Sequence, residues 1–105
     1  MAKYLITYTG GSGPESMTEE QTAEVMAAWN AWYGDLGEAV VDFGNPTGAS
    51  KVIVPGGVVS DGGPGITGYS LINADSLDDA AGACRNHPHL AAGGTITIHE
   101  TFEVG

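Results

Sequence analysis

Ile66-Thr67-Gly68-Tyr69-Ser70-Leu71-Ile72-Asn73-Ala74-Asp75-Ser76-Leu77-Asp78-Asp79-Ala80-Ala81-Gly82-Ala83-Cys84 changes periodicity partway along its length. From Ile66 to Ala74 the alternation is two-residue, which predicts a strand with Ile66, Ser70 and Ile72 on one face and Tyr69 on the other. Ser76 with Asp79 then supplies a helix start. Leu77, Ala80, Ala81 and Cys84 fall on one helical stripe, and His87-Pro88 is expected to end that helix. A strand running into a helix over so short a span is half of a β-α-β arrangement.

The other half lies upstream. Tyr4 to Thr9 alternates, with Tyr4, Ile6 and Tyr8 on one face. Gly10 to Pro14 reads as a turn. Thr18-Glu19-Glu20-Gln21 fits a capping box, and the early glutamates suit the positive end of a helix dipole. Val25, Ala28, Trp29, Trp32 and Leu36 continue at helical spacing up to a stop near Gly37. Ala39 to Phe43 predicts a second strand, broken by Gly44-Asn45-Pro46. Lys51–Val54 and Val58–Ser60 flank Pro55-Gly56-Gly57 as a hairpin. Asp61 to Gly65 is a further turn cluster, and Gly93-Gly94 leads into a last strand, Thr95 to Val104.

The order is β-α-β, a hairpin excursion, then β-α-β. Two helices on one mainly antiparallel sheet form an α+β plan of the ferredoxin-like kind, with the excursion adding strands at an edge. All of residues 1–105 are expected to form one domain. One sheet face stays open, and bulky aliphatics are scarce for a domain this small. Covering that face with a second copy gives a homodimer, a dimeric α+β barrel.

Charge excludes several functions. Thirteen acidic residues stand against three basic ones, for a net charge of -10. Lys3, Lys51 and Arg85 alone cannot neutralise a phosphate backbone, so no nucleic acid is expected as partner. No apolar run reaches the ~20 residues that span a bilayer, and the acidic balance opposes docking on an anionic membrane. Met1-Ala2-Lys3-Tyr4 leads straight into strand-like sequence, with no signal peptide expected. The lone cysteine, Cys84, excludes an internal disulfide and points to the cytoplasm.

Glycine-rich Gly10-Gly11-Ser12-Gly13 lacks the lysine of a phosphate loop, so no nucleotide cofactor is expected. Cys84 and His87 have the spacing of a chelating pair. Cys84 also sits on the apolar stripe, and no second pair at zinc spacing occurs, so the expectation is no metal. In the last strand the even positions Ile96, Ile98, Glu100, Phe102 and Val104 are expected inward. Glu100 on that face is either a carboxylate serving a pocket or interface, or the mark of a strand end frayed into solvent.

Four stretches resemble the YCII-related family. These are Gly37-Glu38-Ala39-Val40-Val41-Asp42-Phe43-Gly44-Asn45-Pro46, Ser60-Asp61-Gly62-Gly63-Pro64, Gly68 to Ala80, and His87-Pro88-His89-Leu90-Ala91-Ala92-Gly93-Gly94-Thr95-Ile96. They run in the family's order between about Tyr4 and Glu103. The second departs from the family's Asp-Gly-Pro-Phe turn by an extra glycine and a missing phenylalanine. The fourth has histidine where the family has cysteine before the proline. The resemblance implies a ferredoxin-like subunit in a dimeric α+β barrel. Some family members look like enzymes with a histidine–aspartate pair in a cleft, and one branch is similar to a dehydrochlorinase acting on a chlorinated hydroxyquinol. Where such members carry a histidine on the first helix, this chain has Asn30, Trp32 and Tyr33.

Asp42 and His89 are therefore the candidate catalytic pair. Asp42 is either a cleft acid or a turn residue capping backbone N–H groups beside Gly44. His89 stands before the loop feeding the last strand, while His87 suits the end of the second helix. Trp32 and Tyr69, with Asn45 and Glu100, are the candidate ligand-binding residues. Aromatics at such spacing serve either a core or a pocket for a small flat ligand. The functional expectation is a cofactor-free acid–base enzyme, for elimination or isomerisation of a small aromatic substrate. The alternative is a binding or accessory module without turnover, and a cofactor-independent oxygenase is the third possibility.

Overall fold

Alternating side chains on β1 (Ala2–Gly10) set up the two layers of the molecule. Tyr4, Ile6 and Tyr8 are buried, whereas Leu5, Thr7 and Thr9 are only half-buried on the other face. The computed structural model describes residues 2–11, 17–63 and 65–104. The turn expected from Gly10 to Pro14 lies outside these beyond Gly11, as do Ser12 and Gly13 of the glycine-rich stretch and Pro64 of the second turn cluster.

α1 (Glu19–Leu36) starts at the expected capping box. Thr18 Oγ1 accepts from the Gln21 amide at 3.1 Å, and the Gln21 side chain accepts from the Thr18 amide at 3.0 Å. The helix stops at Gly37, whose positive φ suits glycine. A 3-10 turn, Gly37–Ala39, leads into β2 (Val40–Asp42). β3 (Lys51–Ile53) and β4 (Val59–Asp61) are the hairpin. β5 (Gly68–Ala74) runs into α2 (Leu77–Cys84), capped by Ser76 as expected. α3 (Pro88–Ala91) and β6 (Gly94–Glu100) complete the chain.

The main sheet has the order β2-β5-β1-β6, every neighbour antiparallel. That is the ferredoxin-like α+β arrangement, with β1 and β5 central and the helices on the Tyr4–Ile6–Tyr8 face. The core joins these three residues to Trp32, Ile72, Ala80 and Cys84. Among the described residues no helix is long and apolar enough to cross a membrane.

Several expectations need correction. The hairpin does not extend the main sheet; β3 and β4 form a two-stranded sheet of their own. Main-chain pairing ends there because Gly44-Asn45-Pro46 bends the chain away, leaving Pro46 in a single bridge to Gly68. The strand after the hairpin begins at Gly68, so Ile66 lies outside it. The α2 stripe is shifted: Ala80 and Cys84 are buried, Ala83 packs beside them, and Leu77 and Ala81 are exposed. His87-Pro88 does more than end α2. The His87 Nδ1 accepts the His89 amide at 3.0 Å and starts α3. The last strand stops at Glu100, so Phe102 and Val104, expected inward, are 79% and 93% exposed. Glu100 pairs with Tyr4 and so keeps the inward parity, but it is exposed at the strand's end.

The result is thin. Its extents are 46 × 37 × 18 Å, and its radius of gyration of 15.4 Å exceeds the roughly 13 Å of a spherical domain this long. One sheet and one helical layer account for the thickness, and the sheet face bearing Leu5, Thr7, Tyr69 and Leu71 has no covering layer of its own among the described residues.

Candidate functional site

Two inward side chains at neighbouring positions on β1 and β5 organise the space beneath α1. Tyr8 and Ser70 are both buried, and their hydroxyl oxygens are 2.8 Å apart. Tyr33, one helical turn past Trp29, brings its hydroxyl within 3.1 Å of Ser70 Oγ. The Phe43 carbonyl lies 2.8 Å from both the Tyr33 and the Ser70 hydroxyl, so one of the two donates to it while the other donates to its neighbour. Tyr8, Ser70 and Tyr33 thus form a line of hydroxyls ending at the turn after β2. Burial holds the Tyr8 phenol well above its ordinary range, opposed by its bond to Ser70. Burial raises Tyr33 as well, opposed by its bonds to Ser70 and Tyr8 and reinforced by the nearby Asp42 charge. Both phenols therefore stay protonated at neutral pH.

Tyr8 also touches a second group. Its ring centroid is 4.9 Å from that of His87, which lies 4.3 Å from Trp29 and 4.2 Å from Trp32. His87 is 1% exposed, and burial, with the His89 charge adding to it, lowers its pKa to about 4. The imidazole is neutral. Since Nδ1 accepts the His89 amide, the proton sits on Nε2, which has no hydrogen-bond partner among the described residues. Along the far side of α1, Gln21, Glu24, Val25, Ala28, Trp32 and Asp35 recur at helical spacing. They form one wall of a groove of about 720 Å3, closed by Asn86, His87 and α3.

Asp42 and His89 do not meet within one chain. The Asp42 carboxylate accepts the Gly44 amide at 2.8 Å, the turn geometry weighed above. The His89 ring is wedged at the opposite corner of the sheet, its Nε2 2.9 Å from the Thr9 carbonyl. A Cβ on Gly94 would stand within 2.0 Å of that ring. Asp42 on β2 is two strands from β1, roughly 10 Å, and His89 lies about 13 Å further along the strand direction. Asn45 and Tyr69 do meet, Nδ2 donating to the phenol oxygen at 3.4 Å. Trp32 is 7% exposed and donates its indole N–H to the Ala83 carbonyl at 3.0 Å, serving the core while one edge lines the groove. Glu100 stands apart, exposed beside Tyr4.

Sequence reasoning gave His87 a helix-end role, weighed Tyr8 only as one of the aromatics serving a core or a pocket, and assigned no role to Ser70. Strand parity carried the signal: Tyr8 and Ser70 both point inward on neighbouring strands. Cys84 is buried and its thiol is pushed up to about 11 by that burial, leaving it unreactive. Among the described residues no three His, Cys, Asp or Glu side chains gather as a metal site.

No protein-family model matches the sequence, and no curated protein sequence matches it. Among solved structures, the chain is similar to 5-chloro-2-hydroxyhydroquinone dehydrochlorinase (TftG) from Burkholderia phenoliruptrix AC1100, in complex with 2,5-dihydroxybenzoquinone. The TM-score is 0.58 at 20% identity, covering 98% of this chain and 95% of that one. A likeness at that identity establishes a shared fold.

Proposed function

We propose, with that shared fold as the premise, that this chain is a YCII-related protein acting by proton transfer alone on a small, flat, hydroxylated aromatic. The reaction class is elimination or isomerisation. The observation that carries the reading is the Tyr8–Ser70–Tyr33 line of hydroxyls, which ends beside the Asp42 turn. A relay of protonated hydroxyls moves a proton without forming a buried charge, and the exposed Asp42 carboxylate has a second oxygen to receive one. In an elimination of this class a ring carbon takes a proton as one hydroxyl loses its own and becomes a carbonyl; a second hydroxyl then loses a proton and becomes a carbonyl as the halide leaves with its bonding electrons. The net change is loss of a proton and a halide, so no oxidant is needed. The solved neighbour is a 5-chloro-2-hydroxyhydroquinone dehydrochlorinase, which agrees with this class.

The test is chloride release from 5-chloro-2-hydroxyhydroquinone under argon, read with a chloride electrode. Release above the protein-free rate is expected, with Tyr33→Phe slowing it by roughly 10²-fold. Chlorinated hydroquinones that bind, seen as a thermal shift, without releasing chloride would overturn the reading. They would favour a binding module without turnover, the second reading. That second reading draws on the separation of Asp42 from His89, each bonded to backbone.

The same proposal includes a homodimer built on the open sheet face. The outward positions of β1, β5 and β6 are Lys3, Leu5, Thr7, Thr9, Tyr69, Leu71, Asn73, Thr95, Thr97 and His99, without one carboxylate; Asp42, paired with Leu71 on the edge strand β2, is the acidic residue of this face. In a chain of charge -10, copies approach with least repulsion through such a face. The hairpin agrees. Val52, Ile53, Val54, Val58 and Val59 are 44–68% exposed, and a two-stranded arm is marginal without cover. Leu71→Glu is expected to convert the dimer to a monomer in equilibrium sedimentation. A wild-type chain that sediments as a monomer at micromolar concentration would exclude the dimer.

A further inference from the structure

The groove between α1 and α3 lies on the other side of Trp32 and His87 from the hydroxyl line, and it has its own chemistry. Its floor is apolar, from Val25, Ala28 and Trp32. Its rim carries Glu24 and Asp35, and no lysine or arginine lines it. His87 lines it too, 1% exposed, with the one buried side-chain nitrogen that has no hydrogen-bond partner among the described residues. Leaving a buried N–H unpaired costs its full desolvation penalty, which an arriving acceptor recovers. Among the described residues the Tyr8, Trp29 and Trp32 rings pack against that imidazole, and their faces are poor acceptors.

We infer that this groove is a binding site for a small cationic aromatic that carries a hydrogen-bond acceptor. The flat body lies on Val25, Ala28 and the Trp32 edge. The positive charge faces Glu24 or Asp35, and a carbonyl or ring nitrogen takes the His87 Nε2–H. Anionic ligands are refused, because the rim holds two carboxylates and no cation. Since His87 is almost fully covered, the acceptor reaches Nε2 as α3, a single turn of four residues, yields outward. The inference rests on the orphaned donor and the rim, so it stands whether or not the hydroxyl line turns over a substrate.

Three related probes separate the contributions: 1-methylnicotinamide, a cation with an amide carbonyl; benzamide, neutral with the same carbonyl; and nicotinate, an anion. Titrations are followed by the His87 Nε2–H resonance in 15N-labelled protein. The cation is expected to bind most tightly and to move that resonance downfield, with benzamide weaker and nicotinate inert. The double variant Glu24→Gln with Asp35→Asn is expected to reduce affinity for the cation by about tenfold, the effect of two part-screened charges, and to leave benzamide unchanged. His87→Phe should abolish the binding of both amides. If that variant fails to fold, the wild-type His87 resonance decides. A resonance unmoved by saturating 1-methylnicotinamide, or nicotinate binding as tightly as the cation, would refute the site.

Discussion

Gly44→Ala is expected to leave the chain largely unfolded. A Cβ at Gly44 would stand 1.5 Å from the Tyr69 carbonyl oxygen and 2.5 Å from its carbon, inside covalent distance of backbone. The backbone φ of +78° adds roughly 1 kcal/mol for any side chain, and relief requires β2 to leave β5. More than pairing would go. Asp42 holds this turn by accepting the Gly44 amide, and the adjacent Phe43 carbonyl anchors both Tyr33 and Ser70. A loss of about 4 kcal/mol or more is expected, most of the stability of a domain this size. Urea unfolding by circular dichroism measures it. Gly48→Ala is the control: no atom of the described residues lies within 4 Å of its Cβ position, and a change within about 0.5 kcal/mol is expected. Two variants of equal stability would show that the turn does not adopt this geometry.

Acidification should destabilise the protein through His87. Folded, this imidazole titrates at about 4; unfolded, at its ordinary 6.5. Between those values the unfolded chain takes up a proton that the folded chain refuses. Stability therefore falls as pH drops from 6.5 towards 4, levels off below, and is fully present above 6.5. The whole effect is about 3 kcal/mol. Protonating carboxylates in a chain of charge -10 relieves repulsion and works in the opposite direction. The comparison is accordingly with His87→Phe, which keeps an aromatic ring against Tyr8, Trp29 and Trp32 and cannot titrate. The urea midpoint of the wild type should fall between pH 7 and pH 4.5 by more than that of the variant. Parallel falls would mean that His87 is charged, or reaches solvent, when folded.

Local rules reached the elements well. Thr18 and Gln21 close their capping box and Ser76 caps α2, because the partners lie within four residues and need no tertiary context. Parity placed Tyr4, Ile6 and Tyr8 inward, since alternation along a strand is a property of the strand itself. The same rule failed for Phe102 and Val104. Parity assigns a face but not the length over which helices cover it, and here the strand itself stops at Glu100. The hairpin's separation from the main sheet was likewise invisible, because it depends on how sharply Gly44-Asn45-Pro46 turns the chain.

The candidate site was legible in part. Asp42, Trp32, Tyr69 and Asn45 stand out by residue type, and contact between Asn45 and Tyr69 follows once β2 and β5 are neighbours. What residue type conceals is which polar atoms find partners. His87 and His89 flank the same proline, yet Thr9 satisfies one ring from 80 positions away and no described residue satisfies Nε2 of the other. Order along the chain, with its periods and caps, was enough to establish two helices against an antiparallel sheet, because those signals act over a few residues. Where a proton can be held, and which histidine is left wanting an acceptor, came from packing. Each depends on β1, β5 and α1 closing on one another, and burial then makes an unmade hydrogen bond expensive.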